Sequence, residues 1–460
     1  MLTALVIVYL LFTIAVGFYS ARRIKRTEDF TLAGKSLSAV VVGITIFATW
    51  FGPELIMGVP TLFIEEGVQG IITDQFGNFL CLVLIGTFYA RQLYRLNITT
   101  INDFFKLRYS HGLETFTALL NVFAYFSWIA AQFLALSFLF NLLFGTSTLV
   151  GIMLSAVIVL TYTYVGGMWA VSITDVFQSV IIVIGLVVLG DVLLEEAGGF
   201  KTVAFNVPDG FYNILPENDF YSWTDYITKW MYLGVGALPS QEIFQRILSA
   251  RSSRSARQGT YISAGLLFVV GSIPLFIGLA ASQLHPDLMD INDGQSIIPT
   301  LVNKYMSEPI KILFFGALIS AILSTSSGAM LSPATVISEN IIRPNLKSMN
   351  DKRLLYYTRL SVVLVAFISC IWASFNTSIH GLVVTSILTP FVCMVVPFTL
   401  GLYWKRISVI GVWWGMITGL ITWGIATVLS SKIEPMLLGF LVNLVVTVIV
   451  SLLKPDDSYT

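Results

Sequence analysis

Charge is scarce in this sequence: only 11% of its 460 residues are Asp, Glu, Lys or Arg, divided equally between 26 acids and 26 bases. A soluble domain carries about 25% charge, so a fully water-covered surface is excluded. The net charge of +0 leaves no basic surplus for nucleic acid. Cysteine is as rare. Cys81, Cys370 and Cys393 each stand alone in an apolar stretch, which argues against a disulfide framework or a metal cluster. His111, His285 and His380 are scattered without ligand-like neighbours. No nucleophile sits beside a base and no phosphate loop is present, so enzyme chemistry is not expected.

What fills the chain instead is apolar, with 56% hydrophobic residues. Stretches of about 20 residues or more, enough to cross a bilayer core as helices, run near 2–20, 38–64, 68–92, 113–144, 146–165, 169–194 and 223–248. Others follow near 257–284, 309–342, 354–376, 380–404, 409–430 and 433–453, roughly thirteen in all. The first is too long, and lacks the small-residue cleavage site, for a signal peptide. An all-α integral membrane protein with no soluble domain is expected.

Basic residues gather in alternate loops, at Arg22 to Arg26, at Arg91, Arg95, Lys106 and Arg108, at Arg246 to Arg257, and at Lys405 and Arg406. Such residues stay on the cytoplasmic side, which puts the N-terminus outside and the C-terminus inside. The expected location is the plasma membrane, a bacterial inner membrane, with the lipid bilayer and a small solute as partners. Neither nucleic acid nor an obligate protein partner is expected.

One apolar run contains "ATWFGPELIMG", residues 48 to 58, with Gly, Pro and Glu inside a span. Another, 223–248, carries "YLGVGALPSQEIFQR" with Gly234, Gly236 and Pro239. An interrupted helix is tolerated at membrane depth only where its bare backbone faces protein or a wet cavity. The second to sixth spans and the seventh to eleventh form two units of five, each opened by a broken helix. Five is odd, so the units run in opposite directions. Paired discontinuous helices in inverted repeats mark the substrate site of a secondary transporter. The expected organisation is an extra N-terminal helix and loop at 1–36, a first repeat at 37–195, an inverted repeat at 223–407, and C-terminal helices at 408–460.

In "GALISAILSTSSGAMLSPATVISEN", Ala321, Ser324, Thr325, Gly328 and Ser332 recur at three and four residue spacings and share a helix face. Small residues let another helix approach closely. Hydroxyls and carbonyls also suit a hard cation, and the first break frees carbonyls near Ala48 and Phe51.

These residues carry a resemblance. "DFTLAGKSL", "INDFFKLRY", "YVGGMWAVSITDVFQ", "EIFQRILSA" and the Ser/Thr-rich helix together resemble the sodium/solute symporter family over nearly the whole chain. "ATWFG", "YTYVGGMWAVSITDV" and "LPSQEIFQR" are most similar to its choline transporter branch and bacterial relatives. The resemblance implies a five-plus-five inverted repeat with one helix in front and about two behind. It implies Na⁺ as coupling ion, held by Ala48, Phe51, Ala321, Ser324 and Thr325. Some members hold a second Na⁺, which would use Asp175, Ser324 and Ser327. Gly328 stands where those members have another Ser, which leaves Asp175 the alternative role of stabilising the cytoplasmic end of its helix. Of the Trp positions that box a quaternary ammonium, Trp50 and Trp128 match, and Ser240 stands where another Trp is expected. Leu233, Gly236 and Ala237 replace the polar residues of sugar carriers, although Asp74 matches an acidic sugar-binding position.

Glu54, Asp74 and Glu242 fall inside apolar segments, and an intramembrane carboxylate is a functional candidate by default. Each also has a bland role: Glu54 capping a half-helix, Asp74 facing water at a helix end, Glu242 holding a cytoplasmic gate. No intramembrane Lys or Arg is obviously placed to pair with these carboxylates; Lys229 is read as the nearest, toward the outer end of its helix. An ionised acid in the site favours a cationic or amine-bearing solute, with Trp50 and Trp128 available for cation–π contact. The expected function is sodium-coupled symport of a small, amine-bearing organic solute by alternating access. The alternatives are proton coupling through one of the acids, or a membrane solute sensor, which usually appends a signalling domain.

Overall fold

The computed structural model describes residues 22–288, 297–346, 350–376 and 378–456, with single positions between 8 and 20. The expected span at 2–20 therefore falls largely outside the described residues. The rest is helical throughout, with no strand among the described residues.

Polar side chains start the helices where the sequence leaves an apolar run. Helix α1 (Ala39–Trp50) begins where the Ser38 hydroxyl accepts from the Val41 amide. After a break come a π turn at Glu54–Gly58 and α2 (Val59–Glu66). A second π turn, Ile72–Phe76, leads into α3 (Gly77–Leu84). Helix α4 (His111–Phe144) is capped by Ser110 and ended by Gly145 in the left-handed region. Helix α5 (Thr148–Glu196) is capped by Ser147 and divided at Gly167, whose φ of 49° and ψ of −149° no L side chain adopts at ease. Helix α6 (Phe220–Gly236) begins at Asp219, whose carboxylate accepts from the Tyr221 and Ser222 amides.

The second break spans residues 237–240 and is followed by α7 (Gln241–Leu248). Then come α8 (Ser253–Leu284), α9 (Glu308–Val336), α10 (Asp351–Ser374), α11 (Ile379–Cys393), α12 (Val395–Tyr403), α13 (Val409–Val428) and α14 (Pro435–Leu453). Both breaks expected from sequence, near 51–53 and at 237–240, are present. Helices α11 and α12 form one span bent by 44°; Pro390 inside α11 removes an amide one turn before the bend.

Eight described helices are long and apolar enough to cross a bilayer, or nine with the bent pair counted as one. That is fewer than the thirteen apolar runs because breaks shorten individual helices, as at α1, at α6 and α7, and in the first half of α5. Lipid-facing sides are read from exposed apolar side chains, among them Leu149, Val157, Phe177 and Val187 on α5 and Ile421, Ile425 and Val445 on α13 and α14. Helix α9 differs: Ala317 to Val336 is buried on every side, and α9 packs against α1, α4, α5, α7 and α10. It is the central post of the bundle.

The loops rich in base meet at one end. Lys35 Nζ donates to Asn97 Oδ1 at 2.6 Å, and Arg108 Nη2 to the Lys405 carbonyl at 3.1 Å. At the same end a short parallel bridge joins Leu37 to Ala250, with Leu37 N donating to Ser249 O at 3.0 Å and Arg251 N to Leu37 O at 2.9 Å. At the opposite end Lys229 pairs with Glu66 at 2.8 Å and Asp225 at 3.5 Å.

Candidate substrate cavity and cation site

The first helix breaks because three local facts coincide at 51–53. Phe51 leaves helical geometry at ψ 71°, and Pro53 has no amide to give to the carbonyl of Thr49. The Leu55 amide turns back to Gly52 O at 3.3 Å instead of reaching Phe51 O. Gly52 has a steric reason as well: a Cβ there would overlap both carboxylate oxygens of Glu54. The Glu54 side chain folds back against the break, where its carboxylate lies over Gly52. Glu54 and Asp74 each lie in a π turn, a distortion that is rare in helices and frequent at functional sites.

A cavity of about 660 Å³, part of it open to solvent, lies where α4, α11 and the two breaks converge. Trp50, Glu54, Asp74, Trp128, Ser240 and Glu242 all line it. The three acids are 6%, 2% and 3% exposed. Asp74 therefore does not face water at a helix end. Glu242 is not part of a gate at the basic end. Its Oε1 accepts from Trp50 Nε1 at 2.8 Å, and its Oε2 accepts from the Tyr125 hydroxyl, whose oxygen also takes the Glu242 amide at 3.1 Å. One carboxylate thus ties the first break, α4 and the start of α7 together. Ser240 is the N-cap of α7 but makes no side-chain cap bond.

Sequence reasoning missed Asn78, Asn121, Tyr125 and Ser386 in this lining. Tyr125 lies one turn before Trp128, and Asn78 one turn after Asp74, so helical spacing from a chosen residue points to both. Nothing local marks Ser386 of α11. Leu233, Gly236 and Ala237 do line the cavity, giving it an apolar wall.

A few residues deeper, α1 faces α9. Thr325 Oγ1 donates to the Ala48 carbonyl at 3.4 Å, a long bond across the gap between them. Ser324 Oγ donates to Asp175 Oδ1 at 2.5 Å, and Ser327 Oγ to Ser324 O at 2.9 Å. Ala48, Phe51, Ala321, Ser324, Thr325, Ser327 and Asp175 are all 0% exposed. The donor set near Ala48, Phe51, Ala321, Ser324 and Thr325 consists of carbonyl and hydroxyl oxygens, which fits a hard monovalent cation. No group of three or more His, Cys, Asp or Glu suited to a metal is present among the described residues.

Two sequence expectations need correction here. Lys229 is not the base nearest the buried acids, because it is engaged with Glu66 and Asp225 at the far end. That base is Arg246, counted above with the cytoplasmic loop residues but fully buried in α7. Its Nη2 lies 3.8 Å from Asp175 Oδ2, its Nε donates to Thr45 O at 3.0 Å, and its Nη1 to Glu242 O at 3.1 Å. Asp175 consequently does not serve a helix end; it faces the bundle interior from the second half of α5. The error has a physical source. A basic residue one turn before a loop looks like the loop's own, and only the packing of α7 between α1, α8 and α9 reveals that it is enclosed.

A family model described as the sodium:solute symporter family matches residues 30–419. The human high affinity choline transporter 1 is 26% identical over 401 residues, covering 82% of this chain and 68% of the human one. The osmoregulated proline transporter OpuE of Bacillus subtilis (strain 168) is 25% identical, covering 97% of this chain and 93% of its own. A solved structure of a Na⁺-coupled sialic acid symporter, substrate-bound and outward-open, superposes with a TM-score of 0.87 at 19% identity, over 100% of this chain and 99% of that one. The family and these relatives are transporters, not enzymes.

Proposed function

The chain belongs to the sodium:solute symporter family, and from that premise we propose that this multi-pass membrane transporter imports a small amine-bearing solute together with Na⁺. The observation that carries the solute class is the meeting of Glu54, Asp74 and Glu242 in one cavity with Trp50, Tyr125 and Trp128. Ionisable acids at that depth are costly and are functional candidates by default. A cationic amine offsets them by direct pairing and by cation–π contact with the indoles. Glu242, already accepting from Trp50 and Tyr125, orients those rings. Glu54 and Asp74 are then the acids that meet the amine. The choline and proline carriers among the relatives transport nitrogen-bearing solutes, which agrees with this class.

The Na⁺ site we propose lies between Ala48 and Phe51 of the broken helix and Ala321, Ser324 and Thr325 of α9. An ion bridging them draws α1 onto the central post, which shapes the cavity for solute. The division into 37–195 and 223–407 then describes two repeats that rock about the site, with the basic end facing the cytoplasm. One Na⁺ crossing 100 mV gains ~2.3 kcal/mol. An assumed tenfold gradient adds ~1.4 kcal/mol, and the sum supports roughly 500-fold accumulation of a neutral solute.

The test is thermal stabilisation of the purified protein against a panel of amines, amino acids and sugars, in Na⁺ and in K⁺ at fixed pH. Amines that stabilise only in Na⁺ are the expected result. Sugars stabilising in their place would refute the solute class, and equal stabilisation in K⁺ would turn the reading to proton coupling through the buried acids.

A further inference from the structure

Asp175 and Arg246 are each 0% exposed, and a guanidinium is charged at any accessible pH. We infer that Arg246 is a built-in cation holding the place a second sodium ion would take at Asp175, so that one Na⁺ and not two accompanies each solute. This rests on the sodium-coupled reading above.

Four observations carry the assignment. The first is position: the Asp175 carboxylate that binds Ser324 Oγ on one oxygen has Arg246 Nη2 facing its other oxygen at 3.8 Å. The second is charge: the guanidinium faces Asp175 Oδ2, neither that oxygen nor Arg246 Nη2 has a hydrogen-bond partner among the described residues, and the same guanidinium also faces Glu242, so it is the positive charge that compensates the carboxylate in a region that must balance its charges. The third is fixation. Arg246 is clamped on its remaining sides by main-chain carbonyls of both broken helices, Thr45 at 3.0 Å and Glu242 at 3.1 Å. The guanidinium therefore holds its place through groups that do not titrate.

The fourth is room. Nη2 sits against the bare backbone of Gly328 in α9, and a Cβ at 328 would fall 2.5 Å from it and 3.1 Å from Thr49 Cγ2. Any side chain at 328, a serine included, requires the guanidinium to shift from the place it holds beside Asp175. Gly328 removes a hydroxyl ligand and admits the guanidinium by the same lack of a side chain. The Asp175 carboxylate then already faces a permanent positive charge, with Glu242 the other acid beside the guanidinium, and an added ion at Asp175 would meet the repulsion of that charge. Ser327 donates to Ser324 O and belongs to the packing of α9. The donor set at Asp175 thus does not fit a second sodium, in contrast to the carbonyl and hydroxyl set at Ala48 and Thr325.

The experiment counts ions directly. Radioactive sodium is equilibrated with the purified full chain in detergent, across a concentration series with K⁺ as balancing salt, and bound ions per chain are read at saturation. The wild-type protein is expected to bind one. Two ions bound by wild type would overturn the inference with no variant required, whereas none would overturn the sodium-coupled reading itself. The second arm is Arg246→Ser combined with Gly328→Ser, which deletes the tethered charge and adds two hydroxyls beside Asp175. Protein of this variant that elutes from gel filtration as wild type does is expected to bind two ions. Should it still bind one, the guanidinium is not what excludes the second ion and the inference fails.

Discussion

Thr325→Val is the sharpest single perturbation of the proposed sodium site. Thr325 is completely buried, and valine keeps its volume and branching while replacing the hydroxyl with a methyl. In the ion-free protein little is lost, because the bond from Thr325 Oγ1 to Ala48 O is 3.4 Å long, at the weak limit for a hydrogen bond. With sodium bound, the same oxygen is a ligand to a charge, and interactions of hydroxyls with charged groups contribute about 1.5–3 kcal/mol. Dividing by 1.4 kcal/mol per decade, the dissociation constant for Na⁺ should rise roughly 10- to 150-fold. The assay is unfolding of purified protein in NaCl against KCl. At sodium 100 times its dissociation constant a single site stabilises by about 2.7 kcal/mol, and a site weakened a hundredfold retains about 0.4 kcal/mol. The stability difference between the two salts should therefore fall from about 2.7 to about 0.3–1.4 kcal/mol in Thr325→Val and stay near wild type in Thr325→Ser. A valine protein with an unchanged sodium increment would refute the assignment of Thr325 as a ligand.

Three further outcomes follow from the geometry. Tyr125→Phe removes one of the donors to Glu242 without changing ring volume; it should weaken binding of the stabilising amine about tenfold or more, read from titration of purified protein with the amine found in the panel. Gly52→Ala forces the Glu54 carboxylate out of its seat on the break; a loss of about 1–3 kcal/mol in stability is expected from overpacking, together with loss of amine-dependent stabilisation, and normal binding would show that the Glu54 position is immaterial. Gly167→Ala places a Cβ at φ 49°, ψ −149° and 2.5 Å from Phe30 O; it should lower thermal stability by at least 1–3 kcal/mol while leaving the sodium increment intact, since no described residue of α5 lines the cavity.

Much of the architecture was legible because membrane insertion writes itself plainly into sequence. Bare backbone cannot face lipid, so "WFGP" and "GVGALPS" announce interruptions, and both breaks lie within a few residues of where those strings place them. The acids were legible for the same reason: Glu54, Asp74 and Glu242 are conspicuous against apolar neighbours. Partnerships were not. Nothing in "EIFQR" tells whether Arg246 points to water or into the bundle, since its neighbourhood is assembled from Thr45, Asp175 and Gly328, each more than 70 residues away in the chain. The π turns that carry Glu54 and Asp74 were equally hidden, because one extra residue in a turn leaves no compositional trace.

The small bridge between Leu37 and Ala250 ties the lead-in to the first broken helix to the exit from the second, using amide and carbonyl groups alone. The clasp itself uses no side chain, so proline at 37 or 251, which strips an amide proton, is the replacement that would unfasten it. Two such bonds are worth about 1–3 kcal/mol together, comparable to the ~3.7 kcal/mol driving force of a single ion. A fastening of that strength can hold one face shut at rest and still be released once per turnover.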